Sequence, residues 1–157
     1  MPRIKTEQTF EYLDTGKYVG FVSAIRKDAE KGTVKIWVDA QGGSASQQIR
    51  VDSDGNPCEG FPHSINTQKF LKACNIPSAE YWAMSEAERD ADFDFEWDDM
   101  LDCQIYFTLK WSKVSAKYPN AYANFDKIMA ATDMPKGTEL GPDHIAAPIA
   151  AAEETPF

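Results

Sequence analysis

An aromatic and a basic side chain share one face of a strand-like segment at residues 33–39. Apolar residues alternate strictly with other residues there, which predicts a strand with one buried face. Trp37 and Lys35 fall on the face opposite the apolar row. A planar base could stack on such a ring while the ammonium group holds a phosphate. The pair therefore predicts single-stranded nucleic-acid binding; the alternative is that Trp37 packs under another segment or at a dimer interface.

A second segment of this kind runs from residue 104 to residue 122. Alternation over 104–113 predicts another strand, with Tyr106 and Lys110 on the face opposite Ile105, Phe107, Leu109 and Trp111. The loop that follows is basic and interleaved with aromatic residues, which suits a nucleic-acid groove, although a solvated hairpin loop is the alternative. The predicted stacking residues are Trp37, Tyr106, Trp111, Tyr118 and Tyr122, and the predicted phosphate-binding residues are Lys35, Lys110, Lys113, Lys117, Arg26 and Arg50.

Residues suited to catalysis or metal binding are sparse. Neither His63 nor His144 stands in a pattern with a serine or cysteine that suggests a catalytic triad, which sequence spacing alone does not establish. The three cysteines include no Cys-x-x-Cys pair, and no glycine-rich loop has the spacing of a phosphate-binding motif. We therefore expect a protein that is not an enzyme and that uses no metal and no cofactor.

The charge of the 157-residue chain is uneven. Its formal net charge is −9, but residues 1–75 carry +1, residues 76–104 carry −9, residues 105–138 carry +3 and residues 139–157 carry −4. The acidity is thus confined to one insert and one tail. Because local charge decides where a polyanion docks, the overall sign does not exclude a nucleic-acid partner.

The order of predicted elements is that of a small β-barrel. Strands are expected over 17–27, 33–39, 46–51, 104–113 and 121–129, with a helix from Ser64 or Asn66 to Cys74 and a second helical piece near Ser85–Glu88. Three strands, a helix and two strands predict a mainly β, five-stranded OB-fold barrel. We assign residues 1–135 to this domain, with an acidic insert at about 76–102, and residues 136–157 to a flexible acidic tail.

The insert contains acidic residues that alternate with aromatic ones between Asp90 and Asp99. No calcium-binding spacing is present. We expect Phe93, Phe95 and Trp97 to pack on the barrel while the acids face water. The sequence also lacks a transmembrane-length apolar run and an apolar signal segment, and its cysteines are odd in number and scattered. These features predict a cytoplasmic protein with reduced thiols and no membrane partner.

The C-terminal tip, Glu153-Glu154-Thr155-Pro156-Phe157, resembles the acidic, Pro-Phe-ending tips of bacterial single-stranded DNA-binding proteins. The body, from Leu13–Tyr18 through Phe70–Cys74 to Asn120–Asn124, is similar to phage OB-fold proteins that bind single-stranded DNA. The resemblance implies sequence-tolerant binding and protection of DNA in phage replication or recombination, in the host cytoplasm. It also implies that replication or repair proteins bind the tip through Glu153, Glu154, Pro156 and Phe157.

Two other functions are compatible with the same residues. A virion structural or adaptor protein would use the β-barrel for protein contacts and would assemble without DNA. An inhibitor that mimics DNA would use the carboxylates of residues 90–102 to bind a basic enzyme. A homo-oligomer is compatible with each of these functions, because nothing in the sequence identifies or excludes an interface.

Overall fold

Antiparallel strands form a single sheet in the computed structural model, which describes residues 12–41, 43–89, 92–111 and 123–142. The strands are β1 (Gly16–Asp28), β2 (Thr33–Ala40), β3 (Gly43–Arg50), β4 (Gln104–Trp111), β5 (Ala123–Ala130) and β6 (Gly141–Pro142). The helices are α1 (His63–Ala73) and the one-turn α2 (Ala79–Ala83), and 3₁₀ turns occupy Trp97–Met100 and Ala131–Asp133. The predicted mainly β class is confirmed, as is the order of three strands, one main helix and two strands.

The sheet has the strand order β3-β2-β1-β4-β5, so the long β1 lies at its centre. β1 pairs with β4 through its first half and with β2 through its second half, and β6 pairs with its first two residues. A bulge at Ser23 bends β1 between these two halves. A strand bent in this way curves the sheet around the residues on its inner face.

The inner face of the sheet carries the core, as alternation in β2 and β4 predicts. Val34, Ile36 and Val38 are buried in β2, and Ile105, Phe107 and Leu109 are buried in β4. Phe125 from β5 stacks on Phe107 with ring centroids 4.8 Å apart, and Phe70 from α1 packs against Phe125 at 5.6 Å. The main helix therefore covers the core beside β5.

A buried polar bridge joins the two terminal strands of the sheet order. Oε1 of Gln47, on β3, accepts hydrogen bonds from the Phe125 N–H of β5 (3.0 Å) and from Nδ2 of Asn66 in α1 (3.0 Å). The Asn66 amide also donates to the Phe125 carbonyl oxygen at 2.9 Å. Both amide side chains are almost fully buried. Buried hydrogen bonds of this kind hold β3, β5 and α1 in one arrangement.

The positions of two helices differ from the sequence-based expectations. α1 begins at His63 after Pro62, and Ser64 caps nothing in the helix because its hydroxyl instead accepts from the Gly60 N–H. The acidic helix lies at Ala79–Ala83, capped by Ser78, so its predicted position near Ser85–Glu88 is wrong; those residues form an isolated turn in which Ser85 bonds Glu88. Within the stretch assigned to the tail, Gly141 and Pro142 form β6, which pairs with the first two residues of β1.

No helix in the described part of the chain is long and apolar enough to cross a membrane.

His63 links the start of α1 to β3 and makes stability depend on pH. Its Nδ1 accepts a hydrogen bond from the Arg50 N–H at 2.9 Å. Burial, and then the positive charge of Arg50, lower the pKa of His63 below its ordinary value of 6.5. Protonation would remove the acceptor and place a positive charge at a helix N-terminus.

We expect the free energy of unfolding to fall as the pH drops below about 6.5, because the unfolded chain then binds a proton that the folded chain resists. The loss continues down to the lowered pKa of folded His63. Urea unfolding of the wild type and of His63→Gln at pH 7.5, 6.5 and 5.5 measures this. The part of the pH dependence that is due to His63 should disappear in His63→Gln. Equal pH profiles of the two proteins would contradict this prediction.

Candidate nucleic-acid interface

The face of the sheet opposite the core, here called the outer face, presents two basic side chains on neighbouring strands, Arg26 and Lys35, which we call the basic row. Arg26 of β1 lies opposite Lys35 of β2, and Lys35 lies opposite Gln48 of β3. All three side chains are exposed. In the next row along the strands, Trp37 lies between Ala24 and Ser46 and is half-buried. The predicted placement of Lys35 and Trp37 on the outer face is confirmed.

Three aromatic rings meet beside this row. The Tyr12 ring stacks near Trp37, with centroids 6.4 Å apart and planes 28° apart, and meets the edge of Trp111 at 5.8 Å. Tyr12 is 46% exposed, whereas both tryptophans are half-buried. We call Tyr12, Trp37 and Trp111 the ring cluster. It combines aromatic surface from β2, from β4 and from the segment before β1.

Backbone contacts explain how the ring cluster is assembled. The Leu13 N–H donates to the Ser44 carbonyl at 2.9 Å, which holds the segment before β1 against the start of β3. The Trp111 indole N–H donates to the Leu13 carbonyl at 2.8 Å, and the Trp111 backbone N–H donates to Thr15 Oγ1 at 3.3 Å. Tyr12 is thereby held between two tryptophans that are 74 residues apart in the chain.

One carboxylate lies on the outer face close to Trp37, and it is engaged in hydrogen bonds. Asp39 Oδ1 accepts from the hydroxyls of Ser23, at 3.0 Å, and of Ser44. These bonds fasten the bulge of β1 to β3. Because two hydroxyl dipoles point at the carboxylate, part of its negative field is offset where a phosphate would pass.

Tyr106 occupies the predicted outer face, yet the residue is only 3% exposed. Its neighbours in register are Val19 of β1 and Met129 of β5. Alternation determines which face a side chain leaves from, but not whether that face is open to solvent. A base could reach this ring only after its covering moved, so the ring cluster is the more accessible stacking surface.

The remaining predicted basic residues fall at different places. Arg50 is exposed at the end of β3, and Lys110 is exposed near the end of β4. Within the described residues the one ion pair joins Lys27 to Asp98, at 3.8 Å. No carboxylate of the described residues therefore pairs with the other predicted basic side chains, which are Arg26, Lys35, Arg50 and Lys110. The predicted loop residues Lys113, Lys117, Tyr118 and Tyr122, and the tip residues Glu153, Glu154, Pro156 and Phe157, lie outside the described residues.

The acidic insert is organised as predicted. Trp97 is buried in the core, where its indole N–H donates to the Gly55 carbonyl at 3.1 Å, and Phe93 and Phe95 pack against the core. The intervening acids Asp94 and Glu96 are exposed. A chain of edge and tilted ring contacts continues from Trp97 through Phe95 and Phe93 to α2. The expectation that aromatic residues pack while acids face water is confirmed.

No group of three or more metal-ligating side chains occurs in the residues that the structure describes. Cys58 lies beside the start of α1, whereas Cys74 and Cys103 lie together at its far end. A hydrogen bond shared by these two thiols raises the pKa of Cys74 and lowers the pKa of Cys103. None of the three cysteines forms a disulfide.

Sequence reasoning missed several residues around the interface. Tyr12 belongs to no alternating or motif-like segment of the sequence, and only its ring contacts place it in the ring cluster. Phe21 is 43% exposed on the outer face of β1, opposite Asp39. Lys17 and Lys127 also face outward, on β1 and β5. Alternation extended along β1 would have found Phe21 and Lys17, whereas their neighbours depend on strand register.

No protein-family model matches this chain, and no curated protein is significantly similar to it.

Proposed function

We propose that this protein binds single-stranded DNA with little sequence preference, through the ring cluster and the basic row beside it. The observation that carries the proposal is the convergence of Tyr12, Trp37 and Trp111 next to exposed Arg26 and Lys35. Aromatic rings accept any base by stacking, and ammonium or guanidinium groups follow the phosphates. No base edge has to be read, which is why the binding is tolerant of sequence.

We also propose that the sheet is an OB-fold barrel. The strand order β3-β2-β1-β4-β5, with the main helix between β3 and β4, supports this assignment. So does the polar bridge from Gln47 to Phe125, which draws together the two strands at the ends of that order. In OB folds, the surface of the second and third strands commonly binds oligonucleotides. Trp37 and Lys35 lie on the second strand here.

The charge distribution is compatible with a polyanion at this face. The insert holds most of the acidic excess, and its described acids from Asp92 to Asp99 are exposed. Its anchor Trp97 packs near Gly55, in the turn after β3, and Lys27 ties Asp98 to β1. The ring cluster is joined instead through Leu13 and Ser44 to the start of β3. Asp98 thus lies one residue along β1 from Arg26, whereas the ring cluster lies at the other end of β2 and β3. The negative charge of the insert would then slow association without covering the ring cluster.

The cellular role that we propose is protection of single-stranded DNA during phage replication or recombination, in the host cytoplasm. The tip at Glu153–Phe157 would recruit replication or repair proteins, since its acids and terminal Pro-Phe suit a basic-rimmed apolar pocket on a partner. This role rests on the resemblance of the tip and body, and no catalytic step is involved.

Titration with poly-dT at low and then moderate salt tests the proposed binding. The chain has four tryptophans, so its intrinsic fluorescence reports stacking. We expect strong quenching that salt reverses, with a log–log slope of affinity against salt of roughly −3 to −4 for about four to six phosphate contacts. No quenching together with no complex in a gel shift would refute the proposal; tight self-assembly, or binding to a basic enzyme instead, would favour the adaptor or DNA-mimic function.

A further inference from the structure

Three lysines from three adjacent strands surround one groove on the outer face. Lys17 of β1 lies opposite Thr108 of β4, and Thr108 lies opposite Lys127 of β5. Lys110 is two residues beyond Thr108 on β4 and so leaves from the same face. The two outer lysines are two strand spacings apart, about 10 Å between Cα atoms. Strand register thus gathers three ammonium groups that are scattered in the sequence.

The groove has a volume of about 470 Å³ and a defined wall. The segment from Glu139 to Pro142, which contains β6, borders it on one side, and exposed Leu140 contributes an apolar patch. A bulge in β5 opposite Thr108 and Leu109 shapes its floor, where Thr108 Oγ1 accepts from the Lys127 N–H at 2.9 Å. Bulges of this kind commonly re-aim side chains beside binding sites.

The charges of the groove favour an anion. Asp126 and Glu139 also line it, so its formal charge is +1. Neither carboxylate is within ion-pair distance of a lysine, because the one ion pair among the described residues joins Lys27 to Asp98. The three ammonium groups are therefore available to a ligand that carries several negative charges along its length.

The groove also adjoins the ring cluster. Thr15 lines the groove, and its hydroxyl accepts the hydrogen bond from the Trp111 N–H. Lys110, another lining residue, directly precedes Trp111. The Lys110 and Trp111 side chains leave β4 from opposite faces, so a strand that stacks on Trp111 would reach the groove past the end of β4, beside Thr15. None of the described lining residues is aromatic, so the groove suits the backbone of the strand better than its bases.

We propose that Lys17, Lys110 and Lys127 bind the phosphodiester backbone of the DNA strand as it leaves the ring cluster. This inference rests on the proposed function, because the ligand is the same strand. It adds Lys17 and Lys127 to the binding residues and lengthens the footprint across β1, β4 and β5. Short oligonucleotides would occupy the ring cluster alone, and longer ones would reach the groove as well.

The test compares Lys17→Gln/Lys127→Gln with a matched control, Lys27→Gln/Lys72→Gln. Both doubles change the net charge equally, and all four side chains are exposed. Neither control residue lines the groove: Lys27 pairs with Asp98, and Lys72 lies on α1. Circular dichroism checks that each variant is folded. Fluorescence anisotropy then gives the affinity for short and long oligo-dT over a range of salt concentrations.

We expect the groove double to lose about 25-fold in affinity for long oligo-dT near 0.1 M salt, with the salt slope smaller by about 1.4, at about 0.7 per contact. Its affinity for the shortest oligo-dT that the wild type binds should change little. Lys17→Arg/Lys127→Arg should restore the slope. An unchanged salt slope in Lys17→Gln/Lys127→Gln, or an equal loss of affinity in the control variant, would refute phosphate binding in the groove. Either result would leave the proposed function intact. Failure of the wild type to bind any oligo-dT overturns both.

Discussion

Trp37→Ala should weaken the binding of poly-dT by about 1–3 kcal/mol, which is roughly 5- to 150-fold in the dissociation constant. The reason is that the indole supplies the largest ring on the outer face beside Lys35, and it stacks near Tyr12 at 6.4 Å. Removing it deletes the surface on which a base stacks and releases one side of Tyr12. Fluorescence anisotropy with labelled poly-dT measures the change, since this readout does not depend on tryptophan.

The control for this experiment is Trp82→Ala. Trp82 is also half-buried, but it lies in the insert, where its indole N–H donates to the Ile76 carbonyl at 2.8 Å and its ring contacts Phe93. The control should keep the wild-type affinity, and Trp37→Phe should retain most of it. Wild-type affinity in Trp37→Ala, combined with reduced stability, would assign Trp37 a packing role and refute stacking.

Gln47→Leu should lower the free energy of unfolding by about 2–4 kcal/mol. Leucine is close to glutamine in volume, so the dominant effect is the loss of Oε1, which accepts from the Phe125 N–H and the Asn66 amide. The Phe125 N–H would then be buried without an acceptor. Urea unfolding followed by circular dichroism measures the loss.

The neighbouring residue supplies a matched control for the polar bridge. Gln48 is exposed on the opposite face of β3, and Gln48→Leu should change the free energy of unfolding by less than about 0.5 kcal/mol. Equal effects of the two substitutions would show that the polar bridge does not stabilise the contact between β3 and β5. Gln47→Leu should also lower the free energy of DNA binding less than the free energy of unfolding, because the Gln47 side chain points away from the outer face.

Local patterns in the sequence determined the strands and the faces of β2 and β4. Alternation at period 2 is enforced within each strand by backbone geometry, so buried Ile36 and outward Lys35 follow without knowledge of their partners. The packing of Phe93 and Trp97 in the insert was predictable for a similar reason, since large apolar side chains leave water wherever neighbours allow.

Only the tertiary structure decided which of these residues meet. Tyr12 joins Trp37 and Trp111 because strand pairing and two hydrogen bonds to Leu13 draw distant segments together. Strand register likewise sets Lys17 and Lys127 around Thr108, and the packing over β4 buries Tyr106. Each of these outcomes depends on contacts between residues far apart in the chain, whose register is set by the whole sheet and leaves no periodic trace in any one segment.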